Sequence, residues 1–244
     1  MPDSQLEKVN YYELRPHEFR ERMAKQPVGY LALGTIEWHG EHNPYGTDSL
    51  GTAGIFERAA RRFGGIVFPP LFLGPDRIRL EPDGSFLQGM DYAKETDPPR
   101  QLDGNCYRIG AGLFLTICEA ILEQAKRAGF KVIVVDGHGP SREAFGDAAN
   151  GWEQQFGIKI ICVSRDITEG WRCGGDHAAL NETSNMMVFH PELVDLSRLS
   201  PDRSIWPVGV SGKDPRDATP EYGEQCLAAS LDVLGAKLTE LGFV

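Results

Sequence analysis

The chain has 244 residues, a formal net charge of −10 and 41% hydrophobic residues, enough apolar sequence for a substantial core. An acidic chain does not present the basic face that nucleic acids and anionic membranes require, so neither is expected as a partner. No apolar run approaches the roughly 20 residues of a membrane span. The polar N-terminal sequence and the odd number of cysteines, five in all, favour a cytoplasmic protein with reduced thiols.

Short apolar runs alternate with longer amphipathic stretches along the chain. Runs rich in Val and Ile and bounded by Gly or Pro predict buried strands at residues 28–34, 66–73, 131–136 and 158–163. Helical spacing of apolar residues predicts helices at residues 49–63, 112–128, 141–156 and 222–241. The length fits one large domain or two small ones. The alternation indicates an α/β sandwich with a mostly parallel sheet.

Two polar segments interrupt the alternation. Residues 74–108 are rich in Asp, Pro, Gly and Arg, and a segment of this length without clear elements is typical of a functional loop or lid. Residues 200–222 have a similar composition, and for them a plain surface excursion is an equally good interpretation.

The first cluster of chemically active residues follows directly on the predicted strand 28–34, at the edge where α/β sheets bind ligands. Glu37 and His39 are two residues apart, so an extended backbone places both side chains on one side. His42 and Asp48 follow in a loop that contains Gly and Pro. Carboxylate plus imidazole is the ligand set preferred by Zn²⁺ and by Mn²⁺ or Fe²⁺, although a solvated polar turn fits this segment alone equally well.

A second strand end carries the same kind of residue. The predicted strand 131–136 ends in a glycine-rich turn with His138 at its tip, and glycines let the backbone approach a ligand closely. A structural role for His138 is the alternative. Because the turn emerges at the same sheet edge as Glu37 and His39, the two strand ends together favour a metal site.

A third cluster lies at a predicted helix start, where His177 and Glu182 are five residues apart. Asn181 or Thr183 is the predicted N-cap of this helix. A carboxylate in the first turn of a helix is stabilised in its charged form. Local sequence alone therefore favours a helix-stabilising role for Glu182 over a role as a ligand.

Taken together, the three clusters resemble the motifs of the creatininase family, the creatinine amidohydrolases and their relatives. The first reads G-T-I-E-W-H-G-E-H-N-P-Y-G-T-D over residues 34–48, the second D-G-H-G-P-S over 136–141 and the third H-A-A-L-N-E-T-S over 177–184. Order and spacing agree over about residues 28–195. The resemblance implies a single creatininase-like domain over residues 1–244, a three-layer α/β/α sandwich with a mostly parallel central sheet. It also implies one or two divalent ions per subunit, Zn²⁺ foremost and Mn²⁺ or Fe²⁺ as alternatives. It also implies a homo-oligomer, often a hexamer.

Carried over residue by residue, the resemblance assigns metal ligands, with Asp48 as the bridge: Glu37, His39, Asp48, His138 and Glu182. His177 matches the catalytic histidine of the family and is the expected general acid, since imidazole exchanges protons near pH 7. His42 is the second candidate for this role, with orientation of a ligand as its alternative.

Four further residues are candidate substrate contacts. Trp38 and Tyr45 would wall the pocket, although a core position is the alternative for both. Arg77 and Arg79 lie in the 74–108 segment and would suit a polyhydroxylated or anionic substrate if they face the pocket, with solvated surface charge as the alternative.

The expected substrate is a small cyclic molecule. Creatininase carries a carboxylate two residues after the histidine of the second motif, whereas this chain has Pro140, so a cyclic amide other than creatinine is expected. Divalent ions activate water for attack on its carbonyl. The same chemistry opens a keto-cyclitol ring by C–C hydrolysis, as in inositol catabolism, which is the first alternative. A non-catalytic metal-binding or assembly protein is the alternative of another class.

Overall fold

The computed structural model describes residues 8–167 and 169–244. Its strands, in chain order, are β1 (Val28–Leu33), β2 (Ile66–Val67), β3 (Ile78–Leu80), β4 (Phe86–Gln88), β5 (Val132–Gly137) and β6 (Lys159–Cys162). Its α-helices are α1 (Pro16–Lys25), α2 (Thr47–Phe63), α3 (Ala111–Ala128), α4 (Gly139–Phe156), α5 (Val163–Asp166), α6 (Leu180–Phe189) and α7 (Pro220–Glu240). Within these described ranges, no helix is both long and apolar enough to cross a membrane.

The strands β2, β1, β5 and β6 lie in that order in one parallel sheet. β1 and β5 pair over their whole length, from Val28 opposite Val132 to Leu33 opposite Gly137. Both strands are buried and apolar almost throughout, as expected for parallel strands that are covered on both faces. The shared register brings the ends of β1 and β5 side by side at the carboxyl edge of the sheet.

Helices cover both faces of this sheet, because successive side chains of a strand point to opposite sides. Tyr30 packs in one hydrophobic cluster with Phe56 of α2 and Leu234 of α7. The next residue, Leu31, packs in a second cluster with Phe114 of α3 and apolar residues of α4. The predicted three-layer α/β/α sandwich with a parallel central sheet is confirmed.

The predicted strands all occur, but the second is much shorter than residues 66–73. Regular pairing with β1 ends at Val67, because Pro69 and Pro70 have no N–H to donate. The predicted helices also occur, and each begins one or two residues before its predicted first residue. The first helix, α1, is an element that the apolar pattern does not indicate.

The 74–108 segment contains more regular structure than its composition indicates. β3 and β4 form an antiparallel hairpin, and a 3₁₀ turn follows at Gly89–Tyr92. A bridge between Gly74 and Arg108 joins the two ends of the segment. The segment therefore leaves and rejoins the rest of the protein at one place.

Candidate metal centre

The residues assigned as metal ligands converge at the carboxyl edge of the sheet. Glu37 and His39 follow β1, and His138 lies between β5 and α4. Asp48 and Glu182 lie in the first turns of α2 and α6. The fold therefore brings together side chains from the three sequence clusters, although Glu37 and Glu182 are about 145 residues apart along the chain.

Among the described residues, three groups of side chains place a ligand atom each within 4.8 Å of the others. In the first group, His138 Nδ1 lies 3.0 Å from Glu37 Oε1 and 3.2 Å from Asp48 Oδ2. In the second, His39 Nε2 lies 3.7 Å from Asp48 Oδ2 and 3.7 Å from Glu182 Oε2. Asp48 belongs to both of these groups and lies between them.

The third group joins Glu37 and His39 to His177. The His177 ring stacks on the His39 ring with centroids 4.3 Å apart, and its Nδ1 lies 3.6 Å from Glu37 Oε1. Its Nε2 donates a hydrogen bond to the Trp38 carbonyl at 2.7 Å. Because a carbonyl only accepts, Nε2 carries a proton, and Nδ1 is the ring nitrogen that faces the cluster.

The backbone around His177 is held from two sides. His177 and Ser211 exchange backbone hydrogen bonds of 2.8 and 2.9 Å, so the 200–222 segment supports the site. The next residue, Ala178, has a φ of +53°. Among the described residues it is the one non-glycine residue with a positive φ. Strained backbone of this kind persists where the surrounding structure fixes it, and it is concentrated at functional sites.

His39 is held in the form that binds metal ions. Its Nδ1 donates a hydrogen bond to the Glu37 carbonyl at 3.2 Å, which leaves the Nε2 lone pair free as a ligand. Burial lowers the pKa of His39, and the neighbouring His177 lowers it further. The imidazole is therefore neutral, as coordination requires.

The pKa values of two carboxylates in the site are shifted in opposite directions. Burial raises the pKa of Glu182 well above its ordinary value, and the charges of Asp48 and Asp176 add to the effect. Burial would also raise the pKa of Glu37, but the histidines around it, His138 foremost, outweigh burial and lower it. A carboxylate buried among others is destabilised in its charged form until a cation lies nearby.

The residues present fit a divalent ion. Across the described parts of the chain, the buried His39 Nε2 finds no hydrogen-bond partner, although it lies beside Asp48 and Glu182. An unpaired imidazole nitrogen between carboxylates is a mixed N and O donor set, which Zn²⁺, Mn²⁺ and Fe²⁺ accept.

The cluster opens into a cavity of about 380 Å³, the size of a small-molecule site. Its walls come from α2, the 74–108 segment, the start of α4, the turn before α6 and α6 itself, and they include Met90, Tyr92, Arg142, Asp176 and Asn185.

His42 does not reach this cavity. Its side chain is buried behind the turn before α6, where Nε2 donates to the Ala178 carbonyl at 2.9 Å and lies 3.1 Å from Thr183 Oγ1. Burial lowers the pKa of His42 to about 4, so it is neutral near pH 7. The prediction of His42 as a general acid is not supported, whereas the alternative of an orienting role fits the contacts.

Of the two arginines predicted to contact substrate, Arg77 lines the cavity and Arg79 does not. The Arg77 guanidinium turns outward to Glu143 at 3.0 Å and is 68% exposed. Arg79 pairs with Glu81 at 2.7 Å and lies over the Tyr92 ring. The surface-charge interpretation therefore fits Arg79. It also fits the charged group of Arg77, although Arg77 lines the cavity.

Trp38 and Tyr45 pack against each other, with ring centroids 6.5 Å apart, outside the cavity of the metal cluster. The Trp38 indole donates to the Val208 carbonyl at 2.9 Å. The Trp38 ring also lies against Gly209, and the Tyr45 ring lies against Gly104. A packing role therefore fits both residues better than the predicted role as pocket walls.

The predicted N-caps of α6 are wrong, since Asn181 and Thr183 lie inside the helix and Ala179 precedes it. The carboxylate of Asp176 serves instead, accepting from the backbone N–H of Asn181 at 2.7 Å and of Glu182 at 3.2 Å. Its side chain lies before the helix and reaches back over the first turn, a contact that residue spacing alone does not reveal.

Asp76 is a further site residue that the sequence motifs miss. It lines the cavity, and its Oδ1 lies 3.7 Å from His138 Nε2. The signal that could have found it is its position: it follows the apolar run at residues 66–73, just as Glu37 and His138 follow their strands.

An α/β sandwich with carboxylates and imidazoles gathered at its sheet edge, beside a small-molecule cavity, defines the class of metal-dependent hydrolases. The sequence model described as "Creatininase: Creatinine amidohydrolase" matches residues 12–96 and 104–238. The chain therefore belongs to the creatininase family, as the motifs predict.

Known relatives agree with this assignment. The creatinine amidohydrolase of Pseudomonas putida is 25% identical over 227 residues, which cover 83% of this chain and 81% of that protein. A mutant creatininase of the Zn–Zn type superposes with a TM-score of 0.70 at 20% identity, over 97% of this chain and 99% of the other. A structure named "Creatininase Mn" gives 0.69 at 22% identity, over 97% and 99%. At these identities the structural likeness supports the fold.

Proposed function

We propose that this metal-dependent hydrolase cleaves a cyclic amide other than creatinine, with divalent ions held by Glu37, His39, Asp48, His138 and Glu182. The observation that carries the proposal is the shared position of Asp48. Its Oδ2 lies 3.2 Å from His138 Nδ1 and 3.7 Å from His39 Nε2, so one carboxylate serves both ligand groups.

Ions at this position would lower the pKa of a water molecule and polarise the substrate carbonyl. The protein itself supplies proton transfer. His177 is fixed by its Nε2–H bond to Trp38, and its Nδ1 faces the cluster near Glu37. We assign to His177 a proton transfer at Nδ1: this nitrogen takes the proton that the attacking water loses and delivers it to the leaving nitrogen, while Nε2–H stays bonded to Trp38.

The cavity wall supports a substrate different from creatinine. Pro140 lies in this wall at the start of α4 and offers neither a carboxylate nor an N–H group. Glu182 reaches the cluster from α6 instead. The proposal is therefore that Glu182 provides the carboxylate that position 140 lacks.

The test uses protein stripped with a chelator and reloaded with Zn²⁺, Mn²⁺ or Fe²⁺, and a panel of lactams, cyclic imides, formamides, creatinine and keto-inositols. The expected result is metal-dependent release of a new amine and carboxylic acid from a cyclic amide. Ring opening of a keto-inositol alone would establish the C–C hydrolase alternative. A protein that binds no stoichiometric metal, and that no metal activates, would be a binding or assembly protein.

A further inference from the structure

The two histidines of the ligand groups use different ring nitrogens. His39 faces Asp48 and Glu182 with Nε2, and its Nδ1 is bound to a backbone carbonyl. His138 faces Glu37 and Asp48 with Nδ1, so its Nε2 lies on the opposite edge of the ring. The structure therefore raises the question of what accepts the proton of His138 Nε2.

The nearest carboxylate to that nitrogen is Asp76, whose Oδ1 lies 3.7 Å away. Both side chains are almost completely buried, at 4% and 3% exposure. In the described part of the chain, neither His138 Nε2 nor Asp76 Oδ2 has a hydrogen-bond partner. Buried polar atoms without partners are rare in proteins because each costs stability, so this pair of unpaired atoms calls for a functional explanation.

Asp76 is held firmly in this place. Its Oδ1 accepts a hydrogen bond of 2.7 Å from the backbone N–H of Arg77. Its Oδ2 packs against Gly89, where the φ of +52° and the contact with the carboxylate leave no room for a Cβ. The adjacent guanidinium of Arg77 does not neutralise it, since that group turns to Glu143.

We propose that Asp76 is a positioning residue of the metal centre, which accepts the Nε2–H of His138 and thereby holds Nδ1 toward Glu37 and Asp48 as the ligand. Metal-binding histidines commonly donate their other ring N–H to a carboxylate or carbonyl, which fixes the tautomer and increases the basicity of the ligand nitrogen. A small ring movement shortens the present separation to the roughly 2.8 Å of a charge-assisted hydrogen bond. The inference rests on the metal centre proposed above.

The experiment compares wild type with Asp76→Ala and Asp76→Asn. Metal affinity is measured for each by competition with a chromogenic chelator, independently of activity. Asp76→Ala should bind Zn²⁺ about 10- to 100-fold more weakly. Asp76→Asn should lose less affinity, because its amide oxygen still accepts the Nε2–H bond. In the Zn²⁺-loaded wild type, ¹⁵N NMR of the His138 ring should show the proton on Nε2.

The matched control is Asp91→Asn. Asp91 is a buried carboxylate of the same segment, but it accepts from the backbone of Gln88 and Leu102 and does not contact His138. This variant should melt at a lower temperature and keep the wild-type metal affinity. An equal loss of affinity in Asp91→Asn would show a general effect of the segment and overturn the proposal.

Two other results would also overturn it. One is a proton on Nδ1 of His138 in the loaded protein. The other is unchanged metal affinity in Asp76→Ala with a raised KM, which would make Asp76 a substrate contact. A wild type that binds no metal would instead refute the proposed function, so the two failures are distinguishable.

Discussion

The two ligand groups that share Asp48 differ in how they are supported from behind. The group of Glu37 and His138 is backed by the carboxylate of Asp76. The group of His39 and Glu182 is backed by backbone: the Ala178 N–H donates to Glu182 Oε2 at 2.6 Å, and His42 holds the Ala178 carbonyl. One group thus depends on a side chain of the 74–108 segment, and the other on the conformation of one turn.

We therefore expect that a substitution can disturb one ligand group without the other, whereas a substitution of Asp48 disturbs both. A change in the turn before α6 should act on the His39 group, and a change in the 74–108 segment should act on the His138 group. The following substitutions test that separation, beginning with the residue that joins the groups.

The largest effect is expected from Asp48→Ala, because it removes a ligand from both groups. We expect kcat/KM for any amide substrate to fall by more than about 10³-fold, since no activated water remains. Metal analysis should find no stoichiometric ion. Asp83→Ala, at an exposed position in the turn between β3 and β4, is the control; retention of full metal content in Asp48→Ala would contradict the shared role.

His177→Ala should leave both ligand groups able to bind metal and should lower the rate of the reaction. Loss of a general acid lowers kcat by roughly 10²- to 10⁴-fold, while metal content should stay at the wild-type level. His190→Ala is a control at a partly exposed histidine, paired with Glu192 near the surface. If His177→Ala loses metal in proportion to activity, His177 belongs to the ligands of the third group and not to proton transfer.

Glu182→Gln should weaken the His39 group alone. The amide oxygen can still accept from the Ala178 N–H, so the turn should remain folded while the ligand charge is lost. We expect one of two ions to bind roughly 10- to 100-fold more weakly, by analogy with other changes around metal ligands. Titration calorimetry should resolve the weakened ion from the unaffected one. Equal weakening of both ions would show that the groups are not separable; Glu192→Gln is the exposed control.

The smallest effect on activity is expected from His42→Gln, which keeps a donor for the Ala178 carbonyl. Its signature is in stability. The pKa of His42 is lowered to about 4, so the unfolded chain, in which it titrates near 6.5, binds the proton more strongly. His42 therefore destabilises the fold as pH falls from about 6.5 to 4, by up to about 3 kcal/mol.

Urea denaturation of wild type and His42→Gln across this pH range measures the difference. The free energy of unfolding of wild type should decline more steeply toward low pH than that of the variant. Parallel curves would mean that His42 is not the buried neutral group that the structure indicates.

The sequence predicted the architecture well, since buried strands and amphipathic helices have clear and different apolar spacing. It also brought Glu37, His39 and His138 to one edge, because the carboxyl ends of parallel strands meet there. It could not assign Trp38, Tyr45 and Arg79, whose orientation depends on distant segments. Asp76 was missed because it belongs to none of the three motif clusters, and its position just after the apolar run at residues 66–73 was its one signal.

The contact between Asp76 and His138 links the choice of substrate to the retention of metal. The segment that carries Asp76 also supplies Met90 and Tyr92 to the cavity wall. Exchanging residues 74–108 for the equivalent loop of a relative, in order to change which ring the protein accepts, would also exchange the group behind His138. With Asp76 in the proposed role, a change of substrate engineered through this segment would therefore also change metal retention, unless a carboxylate is kept at position 76 and a glycine at position 89.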